Sequence, residues 1–511
     1  MTFRFPRLRW MAAAASCLLL LSACSSGQSA DPASGPGADA AASMPAAPEG
    51  LERYYTQSLD WTSCSTSFEC ADVEVPLDYA HPEGDSIQLS VVKMDAPGKA
   101  QGTLLVNPGG PGASGVDLVM NAGSLVFSDH LRGAYDVLGF DPRGVSRSAP
   151  VTCRTDAERD KARTVDIDTS TAAGLAELEE QSRDFAQECA RKTGKSLGFV
   201  DTVSSAKDMD ILRAVSSEPK LDFLGFSYGT KLGATYAQLF PQNVGHMVLD
   251  GAMDPSLGNE DVTLGQAAAF EKAITAYLED CLRGRDCPFD GDVEQARGQL
   301  QQVFDDVEQY PLTAQDGREV GITDFVNGFL LAFYDDAYWD QLTAALSDII
   351  SGDPTKILEL ADTSAGRNPD GSYTGNPMAA FTAINCLDYP VDTSLEGQRH
   401  DAQDLAKASP TIGKYLAFGG MACQDWKYEP TGHPAPVSAP GAAPIVIIGT
   451  TGDPATPYQW SKALNEQLES SVLLTFHGEG HTAYGRSNEC IGNAVDDYFV
   501  DSTVPKDGLQ C

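Results

Sequence analysis

The chain has 511 residues, 42% hydrophobic and 21% charged, a globular composition that excludes a mostly disordered, collagen-like or polytopic membrane chain. Acidic residues outnumber basic ones 72 to 35, and the formal charge of -37 repels nucleic acid and anionic membranes, so no nucleic-acid partner is expected. Twelve cysteines are spread along the chain without the tandem CxxC spacing of a zinc ribbon, a usage that fits an oxidising compartment better than a metal cluster.

Arg4, Arg7 and Arg9 precede an apolar run at 11–23 that ends Leu21-Ser22-Ala23-Cys24. A basic stretch, a short apolar core and small residues before a cut predict a secretory signal over 1–23. As a helix such a run reaches only ~20 Å, short of the ~30 Å hydrocarbon core, so a permanent spanning helix is not expected. The Leu-Ser-Ala-Cys ending resembles the lipobox of bacterial lipoproteins, which implies Cys24 as the lipidated first residue; the alternative is simple cleavage that leaves Cys24 unmodified. Residues 25–50 lack aromatic and aliphatic β-branched side chains and are rich in Ala, Ser, Pro and Gly, so 24–50 reads as a flexible tether. The expected product is exported and held at the outer face of the cell membrane by its lipid alone, with release by proteolysis of the tether. Loss of 1–23 removes three arginines and no acid, taking the charge from -37 to -40.

Cys17 leaves with the signal, and ten cysteines remain beside Cys24. Short loops close cheaply, so sequence neighbours are expected to pair: Cys64 with Cys70, Cys153 with Cys189, Cys281 with Cys287, Cys386 with Cys423, and Cys490 with Cys511.

Past the tether, short apolar runs alternate with Gly-rich turns and helical stretches, the pattern of a mostly parallel sheet flanked by helices. Residues 103–106 lead into Asn107-Pro108-Gly109-Gly110-Pro111-Gly112, and 135–140 into Asp141-Pro142-Arg143-Gly144. Residues 221–224 lead into Gly225-Phe226-Ser227-Tyr228-Gly229, and 246–249 into Asp250-Gly251. Helical periodicity then dominates, as at 267–282 and 338–350. Strand-like runs return at 443–448, ahead of Gly449-Thr450-Thr451-Gly452-Asp453, and at 472–476, ahead of His481. The reading is an α/β core over 51–255 and 436–511, the second part carrying an acid and a base, interrupted by a mostly helical cap over 256–435. Functional residue types gather past the carboxyl ends of the strands, where open α/β sheets build their sites.

GFSYG matches the GxSxG nucleophile elbow, a sharp strand-to-helix turn that exposes a serine. The apolar run before Ser227 and the small residues after it supply the context that the bare motif lacks. A serine needs a base, and the base an orienting carboxylate. His481, in a loop after the last strand, is the candidate base and Asp453 the candidate acid, in the chain order Ser, acid, His. His477 competes with His481, but Gly478 and Gly480 exclude the helix that a metal-binding i,i+4 histidine pair requires. The acyl-transfer oxyanion needs two donors, expected from the backbone N–H groups of Tyr228 and of Gly110 in the glycine loop. No nucleotide, flavin or metal motif is present, and serine hydrolysis needs no cofactor.

The ordered set NPGGPG, GFDPRG, GFSYGT, GTTGDPATP and GEGHT resembles the secreted actinobacterial tripeptidyl aminopeptidases, relatives of prolyl aminopeptidases in the α/β-hydrolase superfamily. The resemblance spans most of 61–511. It implies an α/β-hydrolase fold, the triad Ser227, Asp453 and His481, and peptide substrates with free N-termini from which short peptides, tripeptides among them, are released. Asn107-Pro108 stands where prolyl aminopeptidases often carry His, which argues against strict prolyl specificity. Related mycobacterial cell-envelope members act on small esters, so the alternative function is a carboxylesterase or lipase with the same triad. An enzyme that reads an N-terminus must hold an ammonium group. Asp388 lies where family members tend to carry CxD and is the candidate carboxylate, with Asp335 and Asp336, beside Tyr334 and Trp339, as further candidates.

Overall fold

The computed structural model describes residues 43–511; the expected signal, most of the tether, Cys17 and Cys24 lie outside the described residues. Twelve strands occur among them: β1 (Thr62–Ser65), β2 (Phe68–Pro76), β3 (Ser86–Met94), β4 (Gly102–Asn107), β5 (Tyr135–Phe140), β6 (Leu221–Phe226), β7 (Val244–Asp250), β8 (Leu312–Thr313), β9 (Glu319–Val320), β10 (Ile445–Gly452), β11 (Ser471–Glu479) and β12 (Leu509–Gln510). β8 and β9 form a separate hairpin. The other ten make one sheet in the order β1-β2-β3-β5-β4-β6-β7-β10-β11-β12. β1, β2, β3 and β5 pair antiparallel, and every pair from β5 to β12 is parallel.

The central strands are apolar at nearly every position because both faces of a parallel sheet are covered. Side chains alternate between those faces. Leu104 and Val106 of β4, Leu224 of β6, Val248 of β7 and Ile448 of β10 join one core. Leu105, Phe223, Leu249 and Ile447, one residue along, join the core on the opposite face. Each such buried side chain contributes roughly 1.5–3 kcal/mol, and a one-residue slip would exchange the two sets, so burial fixes the register.

Helices dominate between the two parts of the sheet. Those at Asn259–Arg283, Val293–Gln309, Ile322–Leu331 and Trp339–Ile350 share an aromatic core of their own. Phe304 meets Phe325 edge-on at 4.7 Å and Phe329 at 5.1 Å, and Phe333 meets Tyr277 at 6.0 Å. The helix Pro377–Asp388 departs from this pattern: Ala380, Ala383, Ile384 and Leu387 pack into the sheet's core. Five disulfides join Cys64–Cys70, Cys153–Cys189, Cys281–Cys287, Cys386–Cys423 and Cys490–Cys511. No helix among the described residues is long and apolar enough to cross a membrane.

Candidate active site

Ser227 sits between the end of β6 and the helix Tyr228–Leu239, with φ 56° and ψ -125°. A left-handed conformation is costly for a serine and is held by its surroundings. The Ser227 N–H donates to the Asp250 carbonyl at 2.9 Å, and the Ser227 carbonyl accepts from Thr230 N–H at 2.8 Å. Gly225 makes the turn sterically feasible, since a Cβ there would lie 2.5 Å from the Gly229 carbonyl oxygen.

His481 follows β11. Its N–H donates to the Tyr334 carbonyl at 2.8 Å, and the Tyr334 ring meets the imidazole edge-on at 5.3 Å. Nδ1 lies 2.9 and 3.0 Å from the two Asp453 carboxylate oxygens. Asp453, just past β10, is buried and also accepts from Ala455 N–H at 2.9 Å, Thr456 N–H at 2.8 Å, the Thr456 hydroxyl at 2.9 Å and Thr482 N–H at 3.2 Å. With both carboxylate oxygens at Nδ1, that nitrogen is the donor of the His481–Asp453 hydrogen bond and carries the ring proton. Nε2, on the other side of the ring, is buried without a partner and is left as an acceptor. His477 instead faces the sheet edge, its Nε2 2.7 Å from Gln510 Oε1.

Asp250, at the end of β7, was not singled out from the sequence. Besides the carbonyl that holds Ser227, its fully buried carboxylate accepts from Ala483 N–H at 3.0 Å and Tyr484 N–H at 2.7 Å. One residue thereby ties the serine turn to the histidine loop. Burial, opposed by these backbone donors, pushes its carboxyl up to about 6.

The glycine loop after β4 packs against the serine turn. A Cβ on Gly109, where φ is 95°, would lie 2.4 Å from the Phe226 carbonyl oxygen and 3.0 Å from Tyr228 N. Gly109 N–H is taken by the Asn107 side-chain oxygen at 3.0 Å, whereas Gly110 N–H has no acceptor among the described residues. Tyr228 N–H opens its helix, and the first N–H groups of a helix have no intrahelical acceptor. Two backbone donors therefore remain beside Ser227.

Asp388, the expected ammonium-binding carboxylate, is engaged within the protein. The residue is 4% exposed, and its carboxylate accepts from Thr202 N–H at 2.9 Å, from the Thr202 hydroxyl, and from the Lys231 ammonium at 3.0 Å. A buried carboxylate already paired with an ammonium does not offer itself to a substrate's N-terminus. Through Thr202, whose hydroxyl also bonds the Tyr228 phenol, it braces the residue next to Ser227. Asp335 and Asp336, by contrast, follow Tyr334 directly and lie 3.8 Å from Arg486 without close pairing. Glu479, missed in the sequence, ends β11 two residues before His481, and burial, with Asp336 and Glu279 nearby, holds its carboxyl above the usual range. No cluster of metal-ligating side chains occurs among the described residues.

Comparison with known proteins places this geometry in a lineage. A family model described as TAP-like protein matches residues 409–511, the stretch with Asp453 and His481. Serine protease Hip1 of Mycobacterium tuberculosis is 34% identical over 476 residues, 89% of this chain and 91% of that protein. Carboxylesterase B of the same organism is 36% identical over 467 residues, 88% of this chain and 89% of the relative. Tripeptidyl aminopeptidase of Streptomyces coelicolor is 30% identical over 468 residues, 89% of this chain and 86% of the relative. The chain belongs to the TAP-like family of α/β-hydrolases and is a serine hydrolase.

Proposed function

We propose that the chain is an exported serine aminopeptidase that removes short peptides, tripeptides among them, from free N-termini. Ser227 is the nucleophile, His481 the base and Asp453 the orienting acid. The observation that carries this reading is the buried, unpartnered Nε2 of His481 opposite an Asp453-bound Nδ1. In the first step Ser227 Oγ gives its proton to Nε2 as it attacks the scissile carbonyl, and the oxyanion is received by Gly110 N–H and Tyr228 N–H. The imidazolium, stabilised by Asp453, then protonates the leaving amine. Water then gives a proton to Nε2 as it attacks the acyl carbonyl, and the imidazolium returns a proton to Ser227 Oγ as the acyl–oxygen bond breaks, releasing the peptide acid, which ionises in solution. Asp335, Asp336 and Glu479 lie on the Tyr334 side of the base and receive the substrate's ammonium. The Streptomyces relative's name supports the peptide reading, and five disulfides support export to an oxidising compartment. Ester cleavage by the same triad is the second reading, supported by the relative named carboxylesterase.

A fluorophosphonate probe is expected to label Ser227, and the purified chain to release tripeptides from free N-termini while sparing N-acetylated copies of the same peptides. Equal cleavage of blocked and free peptides sinks the aminopeptidase reading. Higher kcat/KM on acyl esters than on every peptide selects the second.

A further inference from the structure

A cavity of about 390 Å³ lies between the loop at Cys153-Arg154, the helices Asp156–Arg163 and Ala172–Thr193, and the start of the helix Pro377–Asp388. Its size suits a small ligand. Neither Ser227, Asp453 nor His481 lines it, so it stands apart from the site proposed for catalysis. Its walls are fixed covalently. Cys153–Cys189 ties the Arg154 loop to the helix that carries Leu178 and Phe185. Cys386–Cys423 ties the helix that carries Ala379 to the turn that carries Ala422. A preformed pocket binds without the entropy cost of ordering its walls.

The charge of the lining runs against the molecule. In a chain with 72 acidic residues and 35 basic ones, three arginines line this cavity and no carboxylate does. Two of the three are compensated from outside. Arg163 pairs with Asp324 and Asp362 at 2.8 Å each, and Arg159 donates to the Gly375 carbonyl at 2.9 Å with Asp156 at 3.8 Å. Even so, Nη2 of Arg163 is buried without a partner. Arg154 makes no ion pair among the described residues; its guanidinium lies over the Phe185 ring at 4.9 Å, half-buried, and desolvation holds its pKa down against the longer-range pull of Glu158, which is itself paired with Lys192 at 3.2 Å. A desolvated guanidinium on an aromatic face, lacking a counter-ion, is completed by a planar anion that accepts both of its parallel N–H groups. One guanidinium without a direct ion-pair partner calls for one negative charge, and Leu178, Phe185 and Ala379 call for an apolar body behind it.

We propose that this cavity binds an amphiphilic monocarboxylate, its carboxylate on Arg154 and its apolar body against Leu178, Phe185 and Ala379. A medium-chain fatty acid and the C-terminus of a short apolar peptide share this chemistry. The full mature chain, labelled at Ser227 with a fluorophosphonate, is titrated calorimetrically with decanoate, with the tripeptide Ala-Leu-Phe, with decanol and with decyltrimethylammonium. Saturable one-site binding of decanoate or of the tripeptide is expected, and which of them binds more tightly identifies the source. Decanol and the cation should bind at least roughly tenfold more weakly, even though the molecule's net charge favours the cation. Arg154→Gln removes no ion pair and is expected to fold with an unchanged Tm while weakening the carboxylate roughly tenfold or more. Thr382→Trp, which adds an indole to the cavity's lining while leaving all three arginines in place, is expected to abolish binding. Binding of neither carboxylate, equal binding of the cation, or carboxylate binding unchanged in both variants overturns the proposal.

Discussion

Asp250 and Asp388 show what single buried carboxylates do around this site. Asp250 carries the serine turn on its carbonyl and the histidine loop on its carboxylate. Its carboxyl is raised from 3.8 to about 6, so between those values the folded chain keeps a proton that the unfolded chain releases. The stability it contributes is present below 3.8 and lost as pH rises through about 6. Asp250→Asn is neutral throughout, and the variant's Tm should fall less than the parent's across that window. Its kcat should fall more than KM rises, because an amide accepts from one of the two loop N–H groups and opposes the other. A Tm profile parallel to the parent's would remove Asp250 from this role. Asp388→Asn tests a different point. It leaves the Lys231 ammonium buried without its counter-ion, at a cost of about 3–5 kcal/mol in chemical denaturation, with KM for free-N-terminus peptides unchanged in the folded protein. A raised KM at unchanged stability would return Asp388 to the role of substrate anchor. The sequence pointed to Asp388 because a motif position names a residue type but not its partners. Lys231 lies 157 residues away in the chain, and only the fold brings its ammonium to the carboxylate.

At the scale of elements, the site is a set of strand ends, and those were legible. The apolar runs at 135–140 and 246–249 fall on β5 and β7, and GFSYG closes β6. A parallel strand buried on both faces is apolar throughout, so it stands out in a sequence. The antiparallel β1, β2 and β3 were not singled out, because a strand with one face or both in water, such as the wholly exposed β1, carries no such run. Helical periodicity likewise marked the middle segment but not which helix packs where. That Pro377–Asp388 belongs to the sheet's core depends on Ala380 and Ala383, small residues with little signal of their own. The loop after β4 depends on a close approach that composition does reveal. Gly109→Ala places a methyl 2.4 Å from the Phe226 carbonyl oxygen in a left-handed conformation, so the loop must move away from Ser227. The expected loss in kcat is about 10²-fold or more, the scale of a lost oxyanion donor. Gly133→Ala, where the added methyl meets nothing within 4 Å, should leave kcat unchanged and raise stability by about 0.5–1 kcal/mol. Equal kcat for the two variants would separate the glycine loop from the chemistry.

For the whole molecule, the ten-stranded sheet has two free margins, and a disulfide sits at each. On one side β1 is four residues long, wholly exposed, and crosslinked to β2 by Cys64–Cys70. On the other, β12 is two residues long and pairs with β11, and Cys511, the residue after it, is bonded to Cys490 on the helix Glu489–Asp501. Unpaired strand margins are templates on which another chain adds, and short, pinned strands deny that template its length and flatness. Reduction frees both pins while leaving the apolar cores on the two faces of the sheet in place. The reduced chain is therefore expected to self-associate, seen as rising light scattering, before far-UV circular dichroism reports loss of helix, and the oxidised chain at the same temperature to stay monodisperse. Scattering that rises only together with helix loss would mean that these two bonds stabilise the fold in general. Where both margins are pinned, the oxidised state governs which surfaces the molecule shows to its neighbours, and the redox state of its surroundings becomes a control on its solubility.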